Sequence, residues 1–408
     1  MPEVGFTNLL VVCVIALVAP LTLGLAPRVR VPAVVLEIVA GVVLGPSVLG
    51  WVEADLVVSV VAVLGLAFLL FLAGLEIDLR RLRGSVLRLA LVGYVATLLL
   101  GLAVGAGFAL VDWVRSPVLM AIALSATSLG LVVPVLKDAR RLDSGLGQAV
   151  VAAASVADFA AIVLLSLFFS TSESGTGTRV ALLVLFAGLV CLTALAALTV
   201  GRSSRLAETV TRLQDTTAEI RVRAAVLLLV GFVAMAAKLG LETILGAFLA
   251  GAVVGLVDRD TSTHPQFRTK LEALGYGFLI PVFFVASGLR LDLAGLIDQP
   301  SALARVPVLA LALLVVRGLP ALLLARRHDG RSVAAAGLLQ ATSLPFLVTA
   351  SQIGVATGTM SDTTAAALVC AGLLSVIAYP ALALGLLRNA EVPAETEHRT
   401  VNPDVRAP

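Results

Sequence analysis

Thirteen apolar runs of about 17 to 25 residues, the length that carries a helix across a bilayer, recur along this 408-residue chain. They lie at about 7 to 27, 31 to 50, 56 to 75, 86 to 110, 117 to 136, 146 to 170, 180 to 200, 222 to 238, 241 to 257, 275 to 289, 303 to 325, 332 to 353 and 363 to 387. Hydrocarbon offers the backbone no hydrogen-bond partner, so runs of this length must close their own hydrogen bonds as helices. Composition agrees: 59% of residues are hydrophobic and 13% charged, against roughly 25% charged in a soluble domain. The expected fold is an all-α polytopic membrane protein with about 13 transmembrane helices.

Charge sorting sets the expected orientation. With the N-terminus outside and the C-terminus inside, the cytoplasmic loops and tail collect 23 of the 29 basic residues and the opposite side only five, Arg115, Arg179, Lys238, Arg290 and Arg305. The last of the 29 is Arg317, within the eleventh run. Trp51 and Trp113 fall at outer ends, where amphipathic rings prefer to sit. The basic balance is thus a membrane-side signal, and no nucleic-acid partner is expected. The start, Met1 to Thr7, carries an acid and no base, which predicts no cleaved signal peptide. The organisation expected is a membrane domain over 1–390 and a short polar cytoplasmic tail over 391–408, with no regulatory domain, in a multi-pass protein of the cell membrane.

Between Asp143 and Glu173 the one ionisable residue is Asp158, at the middle of the sixth run. An unpartnered charge at that depth costs several kcal/mol, so it marks a working site. Desolvation disfavours a charged carboxylate, and near neutral pH such a group can hold either a proton or a dehydrated cation. Ser155, one turn earlier on the same face, can add an oxygen, and Thr127 a hydroxyl or a backbone carbonyl. Enzymatic classes find no support. The three histidines lie in polar loops or the tail, Cys13, Cys191 and Cys370 lack metal spacing, and neither a second membrane aspartate nor a Ser/His or Ser/Lys dyad accompanies Asp158. No cofactor is expected.

The chain also repeats itself. Ala126-Thr127-Ser128-Leu129 in the fifth run returns as Ala341-Thr342-Ser343-Leu344 in the twelfth, 215 positions later. Leu36-Glu37 in the second run pairs with Leu241-Glu242 in the ninth, and Gly74-Leu75-Glu76-Ile77-Asp78-Leu79 after the third with Gly288 to Leu293 after the tenth. Each pair lies seven runs apart, so the copies cross in opposite directions. That is the pattern of an inverted-topology repeat, runs 1 to 6 against 8 to 13, and such repeats support alternating access. Thr, Ser and the following Gly130 or Pro345 weaken the helix in the middle of runs 5 and 12, with Pro134 as a further interruption. Thr127, Ser128, Thr342 and Ser343 then serve either an ion site or close helix packing.

Several linked motifs resemble the monovalent cation:proton antiporters. They are Val31-Pro32 to Glu37, Leu44-Gly45-Pro46-Ser47-Val48-Leu49-Gly50, Phe68 to Leu79, Ser125 to Asp138, Ala154 to Ile162, Gly246 to Gly251, Pro281 to Leu289 and the Pro345 region. The resemblance implies the sodium/hydrogen exchanger fold, a dimerisation and a core domain in a homodimer, and a crossing of the broken runs 5 and 12 beside Asp158. It implies exchange of Na+ or K+ for H+. A symporter of an organic solute on a related inverted-repeat fold is the rival. Electrogenic members carry two adjacent aspartates where this chain has Ala157-Asp158, and the tenth run lacks the lysine that accompanies them. A single carboxylate favours one-for-one electroneutral exchange. Arg317 either pairs with Asp158 or caps broken-helix carbonyls. Glu37 either lines an inward funnel or snorkels to a local arginine. Glu76 and Asp78, beside Arg80, Arg81 and Arg83, read as interfacial charges.

Overall fold

The computed structural model describes residues 5–25, 32–76, 84–169, 176–200, 219–258, 265–298 and 300–388. The tail over 391–408 and the loop residues Arg28, Arg30, Asp78, Arg80, Arg81 and Arg83 lie outside them. The elements are α1 (Thr7–Leu25), α2 (Ala33–Leu44), α3 (Leu56–Leu75), α4 (Gly84–Leu110), α5 (Pro117–Ser125), α6 (Leu129–Asp138), α7 (Gly145–Phe169), α8 (Thr176–Val200), α9 (Ile220–Lys238) and α10 (Thr243–Val257). After them come α11 (Pro265–Leu274), a π-turn (Gly275–Leu279), α12 (Ile280–Leu289), α13 (Leu293–Ile297), α14 (Pro300–Leu303), α15 (Arg305–Gly318), a 3-10 segment (Leu319–Arg326), α16 (Gly330–Gln340), α17 (Pro345–Ala356) and α18 (Asp362–Arg388).

Every one of the thirteen runs is helical, but not equally. Nine helices among the described residues are long and apolar enough to cross a membrane, and α16 with α17 makes a tenth span bent by 42°. The second, fifth and ninth runs give shorter apolar helices. The second stops at Leu44, not near 50, because Gly45-Pro46 ends it and the chain turns back through Gly50 at φ 64°. The tenth begins earlier than expected, at Pro265. Pro281 brings no N–H to the ladder, and the backbone takes one π-turn, a frequent local answer to a missing partner, before continuing as α12. Pro134 does not interrupt its helix: the backbone is helical from Leu129 to Asp138. α6 starts little more than a turn before this proline, so the one carbonyl deprived of an N–H is that of Gly130, close to the free end.

The helices pack as two groups. In the first, α3 lies along α10, α2 along α12, and α9 against α10, with α1 beside α2 and α12. Glycines allow the close approach: a Cβ at Gly74 or Gly251 would strike the Phe248 or Phe71 carbonyl across the α3–α10 contact, and one at Gly41 or Gly288 the Val285 or Ile38 carbonyl across α2–α12. In the second group α4 packs on α5 and α7, and α18 on α15, α16 and α17. The two groups touch where α7 meets α10 and where α18 meets α2, with α8 packed on both α7 and α10.

Within the second group the two broken spans run in opposite directions. Near one end the Arg115 N–H donates to the Thr359 carbonyl (2.9 Å), and mid-span the Ser128 N–H donates to the Thr342 carbonyl (2.9 Å). Trp113 stacks on Phe108 and lies under the Arg305 guanidinium (5.3 Å), which also donates to Thr364 (2.7 Å). That cluster ties the loop between α4 and α5 to the first turns of α15 and α18.

Candidate functional site

The site is built on the two breaks. α5 ends at Ser125 and α6 starts at Leu129, leaving Ala126, Thr127 and Ser128 extended. α16 ends at Gln340, and Pro345 opens α17 with the φ of a first helical residue and no N–H to satisfy. Four half-helix ends therefore meet inside the protein, two with free N–H groups and two with free carbonyls.

Asp158, on α7, sits at the N-terminal end of α6. Its Oδ1 accepts from the Thr127 N–H (3.2 Å) and its Oδ2 from the Leu129 N–H (3.4 Å). A helix N-terminus carries roughly half a positive charge, so the carboxylate is held by backbone donors and dipole together. Pro345 and Phe346, at the start of α17, line the same cavity of about 60 Å³. This space admits a cation with little of its water.

Arg317 lies on the other side of the crossing, fully buried. Its Nε donates to Thr127 Oγ1 (2.8 Å), one Nη to Thr97 Oγ1 (3.4 Å) and the other to the Ala153 carbonyl (3.4 Å). Thr127 Oγ1 in turn donates to the Gln340 carbonyl (2.6 Å), the last residue of α16. The carboxylate is thus beside an N–H end, against the complementary dipole, while the guanidinium reaches the carbonyl end of α16 only through the Thr127 hydroxyl. No ion pair joins Arg317 to Asp158 among the described residues. Thr127 bridges them, with its amide on Asp158 and its hydroxyl on Arg317.

That geometry redistributes the expected roles. The Thr127 hydroxyl faces Arg317 and Gln340, so its contact with Asp158 is the amide N–H. Ser128 lines the Asp158 cavity, as does Ser343, whose buried hydroxyl has no hydrogen-bond partner among the described residues. Ser343 is also pinned through its backbone, its N–H donating to Ser375 Oγ (3.3 Å) and its carbonyl accepting from it (3.0 Å). Thr342 returns its hydroxyl to the Leu338 carbonyl (3.1 Å) and does not line the cavity. Ser155 is buried on α7 but is likewise absent from the cavity wall.

Two further residues join the site: Glu76, expected from the sequence to be an interfacial charge, and Tyr276, for which the sequence suggested no role. Glu76, at the C-terminal end of α3, lines the Asp158 cavity, and its Oε2 is buried without a hydrogen-bond partner. It belongs to the first packing group and faces Asp158 across the boundary. One signal was available: a carboxylate at a helix C-terminus opposes the dipole, an unfavourable placement without another use. Tyr276, carried by the π-turn, lines the cavity as well. Glu37 is elsewhere, buried on α2 and lining a second, larger cavity.

A family model described as "Sodium/hydrogen exchanger, transmembrane" matches residues 13–384. The chain is 33% identical over 410 residues to a "Putative Na(+)/H(+) antiporter YjbQ" of Bacillus subtilis (strain 168), covering 97% of this chain and 65% of that protein. It is 31% identical over 425 residues to "Cation/H(+) antiporter 18" of Arabidopsis thaliana, covering 96% of this chain and 50% of the relative. The chain therefore spans half to two thirds of the length of these two relatives. Among solved structures, the sodium proton antiporter MjNhaP1 of Methanocaldococcus jannaschii superposes with a TM-score of 0.67 at 18% identity, over 94% of this chain and 98% of that one.

Proposed function

Because the chain belongs to the sodium/hydrogen exchanger family, we propose that it exchanges a monovalent cation, Na+ or K+, for H+ by alternating access at Asp158. The observation that carries the reading is the Asp158 carboxylate, held at the N-terminal end of α6 in a small cavity where the two packing groups meet. A proton or a dehydrated cation neutralises it. Both cannot be bound at once, so release of one permits capture of the other.

Oxygen ligands are at hand in the Ser128 and Ser343 hydroxyls and the Glu76 carboxylate around the same space. They suit hard monovalent cations, which take oxygen ligands. Movement of the α4–α7 and α15–α18 group against the other would expose the cavity alternately to each side. Thirteen spans with the N-terminus outside and the C-terminus inside, an inverted repeat and a homodimer in the cell membrane complete the proposal. The opposed directions of the two broken spans and the break at each Ala-Thr-Ser-Leu copy support the repeat. With Ala157 beside Asp158 in place of a second aspartate, Asp158 is the carboxylate that trades proton for cation in each cycle, Glu76 keeps one protonation state throughout, and exchange is electroneutral.

The test is cation-induced dequenching of a pH dye in acid-loaded everted vesicles. Wild type responds to sodium or potassium and Asp158→Asn does not. Equal proton flux from Asp158→Asn sinks the proposal.

A further inference from the structure

Beside the small cavity lies a second one of about 540 Å³. Its walls come from both packing groups: α1, α2, the π-turn and α12 on one side, the first turns of α6 and α17 on the other. The two cavities share Leu69, Ser128, Gly130, Tyr276 and Pro345, so they are successive chambers with a common wall.

Among the described residues, Glu37 is the one charged side chain in the wall of the larger chamber. It is 6% exposed and has no hydrogen-bond or ion-pair partner among the described residues. The remaining lining is almost wholly apolar, with Ser128 and Tyr276 placed where the chambers meet. A carboxylate so buried is costly, and neighbours of the packing kind do not offset the cost. Arg28 and Arg30, the local arginines to which Glu37 could snorkel, lie outside the described residues.

We propose that Glu37 is a second cation-binding position, which takes up a monovalent cation in the larger chamber and hands it past Ser128 and Tyr276 to Asp158. This rests on the antiporter reading for the destination of the ion. The chemistry is that of one negative charge in a low-dielectric chamber wide enough for a partly hydrated cation. It raises the local cation concentration before the last water is shed. Glu37 belongs to α2, packed on α12, whereas Asp158 belongs to the opposite group, so the cation changes partners across the boundary that alternating access would move.

Two measurements test this. In proteoliposomes carrying the full chain, Glu37→Gln raises the KM for sodium about tenfold while kcat changes by less than about twofold, and Glu37→Asp lies between it and wild type. In detergent, Asp158→Asn retains weak saturable binding of radiolabelled sodium, and Asp158→Asn combined with Glu37→Gln loses it. An unchanged KM in Glu37→Gln overturns the proposal, as does a fall in kcat alone, the mark of a packing role. Absence of sodium binding by folded Asp158→Asn also overturns it. The binding experiment needs no transport, so a wild-type protein that fails to exchange cations counts against the antiporter reading separately.

Discussion

Thr127 joins three parts of the site through its own amide and hydroxyl. Its amide N–H holds Asp158, its hydroxyl donates to the end of α16, and the same hydroxyl accepts from Arg317. Hydrogen bonds to charged groups contribute about 1.5 to 3 kcal/mol each, and a buried group left without its partner costs about as much. Thr127→Val keeps the shape and removes the hydroxyl, leaving the Gln340 carbonyl and one guanidinium N–H unpaired. The expected outcome is a loss of about 2 to 4 kcal/mol in stability, read as a lower melting temperature in detergent, with Thr127→Ser close to wild type. Equal melting of the Val and Ser variants would show that the bridge holds nothing together. Arg317→Lys should behave like Thr127→Val, since one ammonium cannot serve the Thr127, Thr97 and Ala153 acceptors in the directions that the planar guanidinium reaches.

At the scale of elements, the arrangement depends on backbones that nearly touch. α3 and α10 meet through Gly74 and Gly251, and in both cases the obstacle to a Cβ is a main-chain carbonyl rather than a side chain that could swing away. Gly251→Ala is therefore expected to cost about 1 to 3 kcal/mol, the usual effect of overpacking. Gly231, on α9, has open space around it, so Gly231→Ala is expected to be neutral or slightly stabilising because alanine is the better helix former. Thermal unfolding of the two variants side by side decides the point: similar melting temperatures would show that the α3–α10 contact tolerates a wider spacing. The consequence reaches the site, because α3 carries Glu76 to the cavity where α7 presents Asp158.

For the whole molecule, one carboxylate shared between two ligands sets the pH dependence. Protonation removes the charge that the cation needs, so the apparent KM for sodium or potassium falls as pH rises, by about tenfold per unit while the proton form dominates, and levels off once the carboxylate is free. Vesicle assays at stepped pH measure this, and a KM independent of pH would rule out a shared site. Electroneutral exchange adds a second expectation. A potential of 100 mV is worth about 2.3 kcal/mol per charge moved, so a cycle that moved net charge would respond strongly to an imposed potential, and this one is expected not to respond.

Much of this was legible in the chain itself. Apolar runs of membrane length must be helical because lipid satisfies no backbone group, and each of the thirteen holds helix among the described residues. The Ala-Thr-Ser-Leu copies marked where α5 and α16 end, because hydroxyl residues followed by glycine or proline make poor helix interiors. Asp158 stood out through cost alone. What the sequence could not supply was direction. Whether Thr127 turned its hydroxyl to a cation or to Arg317, whether Arg317 reached Asp158, and whether Glu76 faced water or the cavity depended on contacts between residues 31 to 190 positions apart. Local pattern assigns a residue to a helix and a depth. Which neighbour it meets there is decided by how two helix groups pack, and only the tertiary structure decided that Glu37 and Asp158 line adjoining chambers.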